Sequence, residues 1–152
     1  MRLSEILKAK NIKVPLVSTE KTAAITELVT LLAENGAVKD AATVCSHVLE
    51  REATRTTGVG QGWAIPHCKS NDVPGLTIAV GRPASPIDFE SIDGQPVDLI
   101  LLLASPPDQT GPYIQTLAQI TRLMNLEPFR RAWRSAATAQ QMYDVLLQHE
   151  KP

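Results

Sequence analysis

The stretch that most constrains this chain is Leu99-Ile-Leu-Leu-Leu-Ala104, introduced by Val97-Asp98. A strand built from an unbroken apolar run has no face to offer to water, so it must be covered on both sides. The run is far too short to cross a bilayer, which takes about 20 apolar residues. Pro106-Pro107-Asp108 ends it. The chain is therefore expected to form an α/β fold (an α+β sandwich). A mixed sheet of about five strands has this strand at its centre and helices on both faces.

The helices are expected from spacing and caps. Ser4 to Ala9 suits a short helix, followed by an extended piece, Ile12 to Leu16, held open by Pro15. Ile25, Leu28, Val29 and Leu32 fall on one helical stripe within Thr19 to Asn35, and Gly36 suits the left-handed residue after it. Asp40 caps a second helix that carries Val44, Val48 and Leu49 inward and ends around Arg51 and Glu52. Leu76 to Val80 alternates as a strand, and Pro83 to Gln95 has the composition of a loop. Pro112 fits the first turn of a helix whose inner face is Leu117, Ile120, Thr121 and Met124. Thr138-Ala-Gln-Gln141 is a capping box for a last helix with Met142, Val145 and Leu146 inside. With 152 residues and no repeat or linker, residues 1–152 read as a single domain.

Charge and cysteine content narrow the function classes. Fifteen basic and sixteen acidic residues leave a net charge of -1, and no basic run is interleaved with aromatics, so nucleic acid is a poor partner. The N-terminus has a charge inside what would be the apolar core of a signal peptide. Two cysteines are too few for a disulfide framework. A cytoplasmic protein with no membrane insertion is expected.

Against that background one histidine stands out. Within Thr57-Gly-Val-Gly-Gln-Gly-Trp-Ala-Ile-Pro-His-Cys-Lys69, glycines allow a sharp bend, and Pro66 pushes Ile65 into an extended conformation. The segment reads as a bent strand between Gly58 and Ile65, with His67 as its last residue before a turn. A neutral imidazole is a good nucleophile near neutral pH and passes on a phosphoryl group readily. A buried structural histidine is the bland alternative. Gly58-Val-Gly60-Gln-Gly62 lacks the spacing of a dinucleotide loop and no helix follows it, so a tight turn or bulge is the better reading. Cys45, His47, His67 and Cys68 lack the spacings of zinc sites, and Cys45 falls on the buried side of its helix. Arg51 and Arg55 precede the glycines. Either guanidinium is able to neutralise a phosphoryl group on His67, or simply to sit as a solvated helix end.

Arg51-Glu52 followed by Thr57-Gly58-Val59-Gly60-x-Gly62-x-Ala64-Ile65-Pro66-His67 resembles the phosphorylation-site segment of a known family. The family is the IIA domains of the bacterial phosphoenolpyruvate-dependent sugar phosphotransferase system (PTS), of the fructose/mannitol type. Met1-Arg-Leu-Ser-Glu-Ile-Leu7 is similar to the nitrogen-regulatory subfamily, and residues 87–98 and 107–110 match family loops. The resemblance implies that His67 is the phosphoryl acceptor and Arg51 the arginine beside it. It also implies a histidine phosphocarrier protein (HPr-like) as donor, a IIB domain or regulatory target as acceptor, and no cofactor, nucleotide or metal. The chain departs from the family where a second histidine is usual. Tyr113 and Gln115 stand there, and both donate hydrogen bonds without carrying charge. Cys68 also stands where glycine is usual. Two alternatives to the regulatory phosphocarrier are a sugar-specific IIA component for fructose- or mannitol-type uptake and a non-catalytic interaction module.

Overall fold

The computed structural model describes residues 2–150. Met1 of the opening motif and the last two residues of the expected 1–152 domain lie outside them. The strands are β1 (Ile12–Leu16), β2 (Gly58–Gly60), β3 (Trp63–Ala64), β4 (His67–Lys69), β5 (Thr77–Pro83) and β6 (Leu99–Ser105). The helices are α1 (Leu3–Ile6), α2 (Lys21–Glu34), α3 (Ala41–Thr54), α4 (Thr110–Met124), α5 (Glu127–Ser135) and α6 (Ala139–His149), with a short 3-10 turn at Ala9–Asn11.

β6 is central, as its apolar run requires. On one side it pairs antiparallel with β5, whose far edge carries β1 in parallel. Its other side is shared by β3 and β4. Trp63 lies opposite Leu99 and Ala64 opposite Ile100, then His67 opposite Leu103 and Lys69 opposite Ser105. The offset is constant, so β3 and β4 are one parallel strand interrupted at Ile65-Pro66, and counted that way the sheet has five strands. β2 folds back antiparallel on β3 alone, which leaves β4 at the edge among the described residues. This mixed sheet lies between helices on both faces.

The alternation along β6 sorts the core into two layers. Leu99, Leu101 and Leu103 enter the layer built with α1, α4, α5 and α6, including Phe129, Trp133, Met142 and Leu146. Ile100, Leu102 and Ala104 enter the layer built with α2 and α3, including Ile25, Leu28, Leu32, Val44 and Val48. Asp40 caps α3 by accepting from the Thr43 amide, and Gly36 takes φ +80 after α2.

Several elements differ from the sequence expectation. His67 opens β4 rather than closing the strand before it. Pro66 has no N–H, but its carbonyl accepts from the Leu103 amide at 3.0 Å, so pairing with β6 resumes at once. The expected helix at Ser4 to Ala9 divides into α1 and the 3-10 turn. Helix α4 turns Tyr113, Thr116, Ile120, Leu123 and Met124 inward, while Thr121 is exposed and bonds its own helix at the Leu117 carbonyl. α5 was not expected. Pro128 sits in its first turn and Phe129 and Trp133, one turn apart, anchor it in the core. In the cap of α6, Thr138 accepts from the Gln141 amide, but Gln141 reaches back to the amide of Ala137, one residue before the cap.

Candidate active site

His67 takes its position from the interruption in the β3–β4 strand. Its Nδ1–H donates to the Ile65 carbonyl two residues back, at 2.8 Å. A carbonyl only accepts, so the bond fixes the tautomer and leaves the lone pair on Nε2. The ring is half-buried. Burial holds its pKa below the ordinary 6.5 and the Arg51 charge pushes the same way, against the Ile65 hydrogen bond and the charge of Glu52. The imidazole is therefore neutral, with a free lone pair, at neutral pH.

The ring lines an open cleft of about 600 Å³ at the β4 edge, between α3 and the start of α4. From α3 come His47, Glu50, Arg51 and Thr54, all on one side of the helix at spacings of three and four. From β4 come Cys68 and Lys69 beside His67, and α4 adds Tyr113. Arg51 is held by donating from Nη1 to the carbonyl of Arg55, at 3.2 Å. Tyr113 presents its ring to His67 edge-on, with centroids 6.0 Å apart. Burial pushes the Tyr113 hydroxyl up to about 12, with Cys68 adding and Arg51 opposing, so it stays a neutral donor. Lys69 Nζ donates to Thr110 Oγ1 at 3.0 Å and lies 5.2 Å from the centre of the Tyr113 ring. Burial also pushes the Cys68 thiol up to about 12, helped by Cys45, which keeps it protonated beside the histidine.

The structure thus brings His67, Arg51 and Tyr113 together. Gln115 is exposed on α4 and does not line the cleft. The helix phase separates two positions that the sequence alone treats alike. Cys45 is half-buried against the α2–α3 layer and shares a hydrogen bond with Thr26 Oγ1 at 3.3 Å. Among the described residues, no three His, Cys, Asp or Glu side chains are grouped to hold a metal ion.

Two supports behind the site went unassigned in the sequence reading. Glu52 is buried and accepts from both the Thr57 amide and the Thr57 hydroxyl, each at 2.7 Å, while Lys21 Nζ lies 3.0 Å away. It ties α2, α3 and the entry to β2 together. Only its place next to Arg51 marked it, and a helix-end acid is usually solvated. The second support is Arg134. Its Nε donates to the Asp98 carboxylate at 2.9 and 3.0 Å, and its Nη2 to the Gln61 carbonyl at 2.7 Å. Gln61 sits in the β2–β3 turn, where Gly60, Gln61 and Gly62 all have positive φ (115, 61 and 82). A Cβ on Gly62 would collide with the Arg134 guanidinium, so this glycine serves the turn and its clamp rather than a phosphate cradle.

The chain is similar to known proteins along most of its length. Residues 5–149 match the family model described as phosphoenolpyruvate-dependent sugar phosphotransferase system, EIIA 2. The chain is 31% identical over 147 residues to the nitrogen regulatory protein of Pseudomonas aeruginosa, covering 97% of this chain and 96% of that protein. It is 33% identical over 151 residues to the fructose-specific EIIABC component of Bacillus subtilis. There it covers 99% of this chain but spans only 24% of the relative's length. Among solved structures, nitrogen regulatory protein IIA-Ntr from Neisseria meningitidis superposes with a TM-score of 0.88 at 28% identity, covering 95% of this chain and 98% of that one. Escherichia coli IIA mannitol, solved in complex with phosphorylated IIB mannitol, has a TM-score of 0.80. At 18% identity, with 94% of this chain and 99% of that chain covered, it shares the fold. The chain belongs to the EIIA 2 family of the phosphoenolpyruvate-dependent sugar phosphotransferase system.

Proposed function

We propose that the chain is a phosphocarrier of the nitrogen-regulatory type, which accepts a phosphoryl group on Nε2 of His67 and either passes it on or holds it as a signal. The observation that carries the reading is the Nδ1–H bond from His67 to the Ile65 carbonyl, which leaves a neutral Nε2 on a residue that lines an open cleft. In the reaction, the Nε2 lone pair attacks phosphorus in line with the bond that breaks. The P–N bond of a phosphohistidine donor opens, and the donor ring, protonated on its other nitrogen, keeps the electron pair and becomes a neutral imidazole. Nδ1 of His67 keeps its proton throughout, and the positive charge that develops on the ring is stabilised by the Ile65 carbonyl. Arg51 turns from the Arg55 carbonyl to the incoming phosphoryl oxygens, and the Tyr113 hydroxyl donates to them. The work is positioning and charge neutralisation, which suits phosphoryl transfer and needs no cofactor or metal.

The donor expected is an HPr-like histidine phosphocarrier in the cytoplasm, and the acceptor a IIB domain or a regulatory target. Nitrogen regulatory relatives that match along nearly their whole length favour the regulatory role. Identity along nearly all of this chain to the fructose-specific EIIABC component favours a second reading, a sugar-specific IIA in the same chemistry. Intact mass at neutral to alkaline pH tests the shared step, with phosphoenolpyruvate, enzyme I and a cognate histidine phosphocarrier present. The wild type gains one phosphoryl group and His67→Ala gains none. No gain by the wild type removes the reading.

A further inference from the structure

We propose that His47 is a second phosphoryl-binding residue of this cleft, taking up a proton and holding the group that His67 carries. The inference rests on the phosphocarrier reading above. His47 lies one helical turn before Arg51, so the two side chains leave α3 as neighbours, about 5–6 Å apart at Cβ. Both line the same cleft as His67. Among the described residues, the buried Nδ1 of His47 has no hydrogen-bond partner, a state that folded proteins avoid. The other donors of the cleft are better supplied. Arg51 has the Arg55 carbonyl, and Lys69 has the Thr110 hydroxyl and the Tyr113 ring.

Charge completes the argument. A phosphoryl group near neutral pH carries about −1.5 to −2. Facing it are Arg51 and Glu50 from α3 and Lys69 from β4, with Thr54 and Tyr113 as neutral donors. Two cations and one acid leave about one positive charge, and phosphorylation adds the group's charge against one positive charge on the His67 ring, so the cleft gains about one negative charge net. A protonated His47 offsets it. Tyr113 donates a hydrogen bond but brings no charge. A phosphoryl group beside an imidazole favours its protonated form.

Potassium phosphoramidate tests the idea without any partner protein. Nε2 of His67 attacks the reagent's phosphorus, its P–N bond breaks, and ammonia leaves. The titration of His47 is then followed by long-range 15N–1H NMR in the free and the phosphorylated wild type. His47 is expected to gain about tenfold in proton affinity on phosphorylation, a rise of roughly one pH unit. By reciprocity, His47→Gln, which keeps a donor but takes no charge, shifts the transfer equilibrium with a histidine phosphocarrier about tenfold against phospho-His67 at pH 6 and leaves it unchanged at pH 9. A purely structural role lowers both equally. An unmoved His47 titration on a protein that is phosphorylated at His67 overturns this inference and leaves the phosphocarrier reading intact. Failure of the reagent to modify His67 overturns both.

Discussion

The strand that carries His67 is treated oppositely at its two ends. At the β3 end the charged groups are matched inside the molecule, although the buried Ser91 hydroxyl beside Gly58 has no partner among the described residues. Arg134 closes on Asp98 and on the Gln61 carbonyl, and Glu52 takes both donors of Thr57 with Lys21 beside it. At the β4 end, across the interruption at Ile65-Pro66, they are not. Among the described residues, His67 uses one ring nitrogen and keeps the other free, His47 has a buried nitrogen without a partner, and Arg51 is held by its own helix end. Polar matching rigidifies, and a rigid anchor next to unmatched donors is the arrangement a transfer site needs. The contrast fits stability to the first end and the proposed chemistry to the second.

Exchanging the two kinds of loss tests the contrast, and the largest effect is expected at the anchored end. Glu52→Ala strands two buried donors and leaves Lys21 with the Phe89 carbonyl and the exposed Glu90, and should lower unfolding stability by about 3–5 kcal/mol in denaturant titrations. The fraction that remains folded should still accept phosphate on His67. Arg51→Ala should do the reverse. Losing a charge-assisted hydrogen bond, about 1.5–3 kcal/mol, should slow phosphoryl acceptance roughly 10- to 100-fold, with a denaturation midpoint close to the wild type's. Rapid-quench kinetics alongside denaturant melts separate the two.

A subtler test uses pH. Burial and Arg51 hold His67 below the ordinary 6.5, so the folded state binds this proton less readily than the unfolded chain does. Stability from this source is complete above pH 6.5 and falls as the pH drops from there toward the folded-state value. His67→Ala should flatten that part of the stability profile, while in the wild type the rate of phosphoryl acceptance should hold its plateau to below pH 6.5. The smallest effect belongs to Gln115→Ala. Exposed and outside the cleft, it should leave both acceptance rate and stability within error of the wild type.

How far the sequence reached follows the same division. β6 was legible because a continuous apolar run has one physical solution, and the caps of α2 and α3 because Gly36 and Asp40 act locally. His67 was legible because a proline and several glycines around a lone imidazole are costly without a purpose. The inner face of α4 was read in part, with Ile120 and Met124 buried as expected and Leu117 packed against the core. Tyr113 and Thr116 are polar enough to look like surface, yet they are buried, and Thr121 is not. α5 escaped because its anchors, Phe129 and Trp133, stand among Arg130, Arg131 and Arg134. Pairing across the chain was the other limit. Glu52 with Lys21, and Asp98 with Arg134, are pairs that no local pattern joins, and they decide how the site is held.

The central claim is that a backbone carbonyl sets the chemistry of His67 by holding the proton on Nδ1. Long-range 15N–1H correlation with 31P detection on the phosphorylated protein reads it directly. A single phosphoryl group on Nε2 of His67, with Nδ1 protonated before and after, is the predicted result. A phosphoryl group on Nδ1, or on His47 or His149 instead, would contradict it.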